Sequence, residues 1–190
     1  MASRTQIVCL HEGRRGRSID PLFIRSLLKK LNPTWIIPWQ GNNVVRTVDC
    51  GGRSELITRM PVELRRCLAM GADTTLMVWA DADDDMEDCE QLKAAFWKAA
   101  KDGGITHDQF ETVVFAIAKD RIENWVQFLM TGTTDEAVEG PRVKHGREVA
   151  NAAKLLAAKC LSGAPIKDIP SSLDWSCKNW RMLRNRKACH

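Results

Sequence analysis

Leu76-Met77-Val78-Trp79-Ala80-Asp81-Ala82-Asp83-Asp84-Asp85 is a short apolar run that breaks into four aspartates within five residues. A second stretch, Ile7-Val8-Cys9-Leu10-His11-Glu12-Gly13, closes in the same manner on a glutamate and a glycine. Both apolar runs read as short strands, so the acids fall where strands should end. Five carboxylates at the ends of two strands repel one another unless something positive lies between them. A hard divalent cation, Mg²⁺ or Mn²⁺, is the usual answer, because such ions take carboxylate oxygens and water.

Working outward from these two runs, short apolar segments alternate with longer helical ones, which predicts an α/β domain with a mostly parallel sheet and helices on both faces. Strands are expected at 6–10, 44–48, 74–80 and 112–118, with a further edge strand at 35–39, where Pro38 disfavours a fully paired position. Asp20-Pro21 reads as a helix start, with Asp20 as N-cap, and Asn32-Pro33 as its stop. A helix over 54–70, capped by Ser54, carries Pro61 and should kink or break there. A helix over 88–101 ends on Gly103-Gly104. Ile122, Trp125, Val126 and Leu129 fall at i, i+3, i+4 and i+7, which predicts an amphipathic helix over 120–130. Helices over 150–161 and from about 172 complete the chain. The division this suggests is a metal-binding domain over 1–135 and a helical, basic C-terminal extension over 136–190 packed on it.

Composition bounds the rest. The 190 residues suffice for one domain with a substantial core, and 44% apolar against 27% charged residues is an ordinary globular balance. No apolar stretch approaches the roughly 20 residues of a membrane span, so no membrane association is expected. Seven cysteines, an odd number with no Cys-x-x-Cys pair, argue against a zinc ribbon or a disulfide framework and for a reducing, cytoplasmic setting. Cys9 and Cys67 read as small buried hydrophobes. The net charge of +4 is unevenly spread, with clusters at Arg14, Arg15 and Arg17, at Arg142, Lys144 and Arg147, and along the tail through Arg184. An acidic pocket rimmed by basic segments suits a polyanion held beside a metal, and nucleic acid is the natural candidate.

In an open α/β sheet, ligands bind beyond the carboxyl ends of the strands. Glu12, Asp81, Asp83 and, in the first turn of the helix after the last strand, Glu123 all reach that edge. Each has a plainer reading: a turn residue for Glu12, helix N-terminal acids favoured by the dipole for the others. Their convergence is what points to a metal. Lys144 sits in the loop from Glu139-Gly140-Pro141 to Gly146, which would present a cation to a phosphoryl group or simply lie in solvent. The tail tryptophans Trp175 and Trp180 either stack on bases or pack on the domain.

Glu12-Gly13 after one strand, Asp81-Ala82-Asp83 after another, and Lys119-Asp120-Arg121-Ile122-Glu123-Asn124-Trp125 opening a helix together resemble the TOPRIM fold. They resemble in particular the short stand-alone TOPRIM-like proteins related to the OLD nucleases. The resemblance covers roughly residues 6–130. It implies a Rossmann-like sheet whose site holds Mg²⁺ or Mn²⁺ on Glu12, Asp81, Asp83, Asp84 and Glu123. It implies phosphodiester hydrolysis in defence against foreign DNA, with an ATPase as a partner and a homo-oligomer as a further expectation. That group places a second acid soon after its Glu-Gly; here the nearest is Asp20, beyond the segment 14–19. Absence of tyrosine excludes a phosphotyrosyl topoisomerase mechanism for this chain. What remains is a nuclease using Glu12, Asp81, Asp83, Glu123 and Lys144, with the arginine clusters holding nucleic acid, DNA or RNA. The rival is a non-catalytic subunit that binds nucleic acid or an ATPase in a defence or repair assembly.

Overall fold

The computed structural model describes residues 7–14, 18–31, 45–71, 74–83, 86–143, 146–163 and 165–185, with side chains through 180. Four parallel strands form one sheet: β1 (Ile7–His11), β2 (Val45–Asp49), β3 (Thr75–Asp81) and β4 (Val114–Ala118), in the order β2-β1-β3-β4. The inner strands β1 and β3 are buried along nearly their whole length, as continuous apolar runs demand when helices cover both faces. Ile7 and Cys9 turn to one face and Val8 and Leu10 to the other, which follows from the two-residue period of a strand.

Helix α1 (Asp20–Leu31) covers the first face with Phe23, Ile24, Leu27, Leu28 and Leu31. Helices α2 (Arg53–Met70) and α3 (Cys89–Asp102) and the single turn α4 (His107–Phe110) cover the second. Helices α5 (Ile122–Thr131), α6 (Gly146–Ser162) and α7 (Ser171–Asn185) join α1 on the first. The chain therefore winds one way from β1 to β2 and the other way from β3 to β4. The direction reverses between β1 and β3, and the crevice beyond their carboxyl ends is where such sheets bind ligands.

Helix α7 does more than add apolar surface. Its Ser176 hydroxyl accepts the Ile117 N–H at 2.9 Å and lies 3.2 Å from the Ile117 carbonyl, so it occupies polar groups on the outer edge of β4. Leu173, Cys177 and Trp180 reach the first face while Trp175 packs toward the second, so the helix straddles the edge. Covering an edge strand in this way blocks pairing with another chain. Glu136 receives the N–H of Ser172 and the hydroxyls of Ser171 and Ser172 at the start of α7.

Several expectations shift. Helix α2 runs through Pro61 without interruption; Pro61 is buried, and its ring lies close to Gly103 at the end of α3. Ser54 does not cap α2, since the helix opens one residue earlier after Gly52 and has no side-chain cap. Asp20 lies in the first turn of α1, where Ser18 Oγ accepts its N–H. Helix α6 begins at Gly146, four residues before the expected start at 150 and ahead of the apolar stripe that opens at Val149. The expected edge strand at 35–39 lies outside the described residues. Among the described residues no helix is long and apolar enough to cross a membrane.

Candidate metal centre

Parallel pairing fixes the site. His11 of β1 stands opposite Trp79 of β3, and Asp81 of β3 opposite Ala118 of β4. The residues that follow each strand therefore emerge at one edge of the sheet. Glu12 turns back across the β1–β3 gap, and its Oε1 accepts the Asp81 N–H at 3.1 Å. Beyond Asp81, the Ala82 N–H continues the ladder to the Ala118 carbonyl at 2.8 Å, so Asp83 is carried directly over the strand ends.

Gly13 makes the next step feasible. A Cβ there would come within 2.2 Å of Ser18 and 2.8 Å of Asp20 Oδ2, so the chain leaving β1 folds back tightly on the start of α1. That fold delivers Asp20 to the cleft despite the intervening basic segment. Asp20 Oδ2 also lies 3.4 Å from Nδ1 of His11, which is buried on the α1 side of β1. His11 thus faces Asp20 within the fold.

An open cleft of about 360 Å³ results, lined by six carboxylates: Glu12, Asp20, Asp81, Asp83, Asp120 and Glu123. Arg14, Arg121 and Gly51 share its wall. Its floor backs onto an aromatic cluster in which Trp79 stacks on Trp180 at 5.5 Å and meets Trp125 edge-on at 6.2 Å. A void of about 10 Å³, the room of a single water, is lined by Glu12, Asp20 and Asp81 together with Trp79 and Trp125.

Burial and crowding act on the acids in the same direction. Removal from water pushes the Glu12 carboxyl up to about 7, with Asp83 and Asp20 adding repulsion and the Asp81 N–H and Arg53 opposing it. Asp81 is raised well above the usual carboxylate range by burial first, then by the charges of Asp20, Glu12, Glu123 and Asp83. Glu123 is raised by burial, in part offset by backbone hydrogen bonding at the start of α5. The amino ends of α1 and α5 bring Asp20 and Glu123 to the cleft, where the helix dipoles favour negative charge.

The donor set is all hard oxygen, which fits Mg²⁺ or Mn²⁺ and not a thiolate-seeking ion. Among the described residues, however, no three of these side chains stand close enough together to grip an ion at once. Two of them are already engaged: Glu12 with the Asp81 N–H, and Asp83 with Arg53 Nη1 at 3.5 Å. Asp83 sits at φ 36, in the left-handed region that side chains seldom adopt.

Of the cations, Arg14 lies in the cleft wall and is exposed, while Arg142 and Arg147 are exposed at and near the start of α6. Gly146 touches Leu22 in the first turn of α1, so the amino end of α6 stands beside that of α1. Asp84, Arg15, Arg17 and Lys144 lie outside the described residues, as does the side chain of Arg184. Trp180 is buried and Trp175 half-buried with its indole N–H on Glu90, so both pack on the domain instead of presenting faces to bases. Residues that periodicity and composition did not single out also serve the site. Lys119 Nζ donates to the Met86 and Glu87 carbonyls, pinning the exit of the aspartate-rich loop to the end of β4. Arg121 bridges Asp120 at 3.2 Å and Glu139 at 2.5 Å, and Asn124 holds the Val138 carbonyl at 3.2 Å. Together they draw the 138–140 segment onto the start of α5. No family model, no curated protein and no solved structure matches this chain.

Proposed function

We propose that this chain is a Mg²⁺- or Mn²⁺-dependent phosphodiesterase acting on nucleic acid, built on a TOPRIM-like variant of the Rossmann-like sheet. The observation that carries the reading is the gathering of six carboxylates from four separate segments into one cleft at the reversal point of the sheet. A solvated surface would not collect acids whose burial, with their mutual repulsion, raises Glu12 to about 7 and Asp81 well above the usual range. Such an arrangement is costly without a cation and useful with one.

In this reading Glu12, Asp81 and Asp83 would hold the metal, and Asp20 and Asp120 line the same cleft. The bound ion would polarise the scissile phosphate and bring a water toward ionisation near neutral pH. Glu123, at the start of α5, accepts the proton of the attacking water. Arg14 in the cleft wall and Arg142 and Arg147 near it bind flanking phosphates along the strand. The TOPRIM resemblance adds a setting, defence against foreign DNA beside an ATPase partner, which the same chemistry would serve.

The test pairs a binding measurement with a cleavage measurement. Mn²⁺ should raise the melting temperature of the wild type and not that of Asp81→Asn, because an ion that binds only the folded chain stabilises it by mass action. Plasmid DNA and single-stranded RNA, offered separately, should then be cut by the wild type in Mn²⁺ and spared by the variant. Binding of Mn²⁺ with both substrates left intact would favour the non-catalytic subunit. Cleavage by Asp81→Asn at the wild-type rate would defeat the assignment of the site.

A further inference from the structure

We propose that Arg53 is an exchangeable counter-ion, which holds Asp83 until a divalent cation takes that carboxylate and then turns to a phosphate of the nucleic acid. The proposal rests on the metal-site reading above and deepens it by assigning the group that senses metal loading and meets the substrate.

Three observations converge on Arg53. It opens α2, directly after Gly51 and Gly52, whose φ values of 79 and 149 are ones glycine adopts easily, and a Cβ at either would meet nothing within 4 Å. Gly51 itself lines the cleft, so Arg53 stands at the rim with an open, pliable lead-in. Its Nη1 lies 3.5 Å from Oδ2 of Asp83, a carboxylate on the cleft wall and one of the candidate ligands. Asp83 in turn is held at φ 36, the left-handed region, at the point where the aspartate-rich loop leaves β3. A backbone in that region costs free energy that some partner must offset, and a change of partner lets it relax.

A second cation at the cleft, Arg121, is committed differently. Arg121 is bound to Asp120 and Glu139, and Glu139 is no candidate ligand. Arg53 alone of these two is tied to an acid that the metal requires. A guanidinium and a divalent ion compete for the same carboxylate oxygens, so occupancy by one weakens the other. Once displaced, the Arg53 fork would still stand beside Asp83, where a phosphate approaching that carboxylate's ion must pass. Its planar donors match phosphate oxygens in pairs, which an ammonium does not reproduce. A merely structural ion pair predicts something else. Asp83 is about half exposed, and such pairs contribute little to stability and nothing to metal affinity.

The test measures Mn²⁺ binding to the full chain by electron paramagnetic resonance, for wild type, Arg53→Met, Arg53→Lys, Asp83→Asn and the Met/Asn double variant. Freed from competition, Arg53→Met should bind Mn²⁺ about two- to fivefold more tightly than wild type, the range set by exposed ion pairs. That gain should vanish in the Asp83→Asn background. Binding of a duplex oligonucleotide in Ca²⁺ should weaken in Arg53→Met, with the slope of log affinity against log salt reduced by about one. Arg53→Lys should keep wild-type Mn²⁺ affinity yet lose oligonucleotide affinity. Unchanged Mn²⁺ affinity in Arg53→Met, or an equal gain without Asp83, would overturn the role of Arg53 and leave the metal site standing. Failure of the wild type itself to bind Mn²⁺ would overturn both.

Discussion

Glu63, midway along α2, is fully buried and is met by three guanidinium groups: Arg66 at 2.6 Å, Arg46 at 3.1 Å and Arg59 at 3.7 Å. Glu12 and Asp81, at the ends of β1 and β3, are part-buried and are met chiefly by other acids. The same residue type is thus buried twice in one domain under opposite electrostatic terms. At Glu63 the arginines keep their outer faces in water while closing over the carboxylate, and the negative charge is answered on the spot. At the sheet edge, among the described residues, it is answered by the Asp81 N–H at Glu12, by Arg53 at Asp83 and by helix amino ends. Burial of an acid is therefore no sign of a site by itself. The sign is an acid buried among acids, a place where a cation would relieve the repulsion.

The largest effect should come from exchanging an acid for its amide in each place. Asp81→Asn should reduce nucleic-acid cleavage in Mn²⁺ by about a hundred- to a thousandfold, the scale of removing one preorganised electrostatic group. In EDTA the same variant should melt higher than wild type, by about 1 kcal/mol or roughly 2–4 °C for a chain of this size. Glu63→Gln should do the reverse, losing about 1.5–3 kcal/mol as hydrogen bonds to a charged group are replaced by weaker ones. Its cleavage per folded molecule should equal that of wild type. Thermal melts and cleavage assays on the two variants test the contrast, and a loss of stability in Asp81→Asn would break it.

The next effect is the pH dependence of the metal-free protein. A carboxyl whose pKa is higher folded than unfolded stabilises the fold while protonated. For Glu12 that contribution is complete below about 4.5 and is lost as pH rises through about 7. Asp81 and Glu123 shift in the same direction, so they add to the same slope. The melting temperature in EDTA should therefore fall between pH 5 and pH 8. Glu12→Gln should flatten part of the fall, and millimolar Mn²⁺ should flatten more, because the ion replaces the protons. Glu63→Gln should lower the whole curve. A melting temperature that rises steadily over this range would contradict the assigned directions.

Much of the site was legible because a parallel sheet converts sequence order into spatial order. An apolar run that ends in Glu12 and another that ends in Asp81 must present both acids at one edge once the strands are neighbours and parallel. Glu123 followed from the strand before it. Asp20 was harder, since its approach depends on the close turn at Gly13, which is set by contacts with Ser18 that no periodicity encodes. Asp120 and Arg53 were missed for a related reason: each matters through its partner, and those partners come from distant segments. In the fold, α4 escaped notice because a single turn held by the Thr106–Gln109 capping box is too short to show a helical period. The start of α6 was placed late because Gly146, Arg147 and Glu148 face solvent and carry no apolar stripe. The burial of Glu63 was not legible at all. Arg59 and Arg66 lie at helical spacing from it, which usually marks a solvated face, and only the arrival of Arg46 from β2 closes it over.

The smallest effect sharpens the comparison most finely. Arg59 is the most distant of the three partners of Glu63, and two closer guanidinium groups remain when it is removed. Arg59→Ala should therefore cost only about 0.2–1 kcal/mol, the range of a solvent-facing ion pair. Removing Arg66 as well should cost more than the sum of the single losses, because the buried charge then depends on Arg46 alone and coupled partners are not additive. Redundancy of this kind is what a structural ion cluster has; the described surroundings of Glu12 and Asp81 are dominated instead by like-charged neighbours. A double-mutant cycle measured by urea unfolding gives the coupling directly. If the two losses were simply additive, the arginines would act on Glu63 independently and the protection of that charge would be a sum of contacts, not a shared shell.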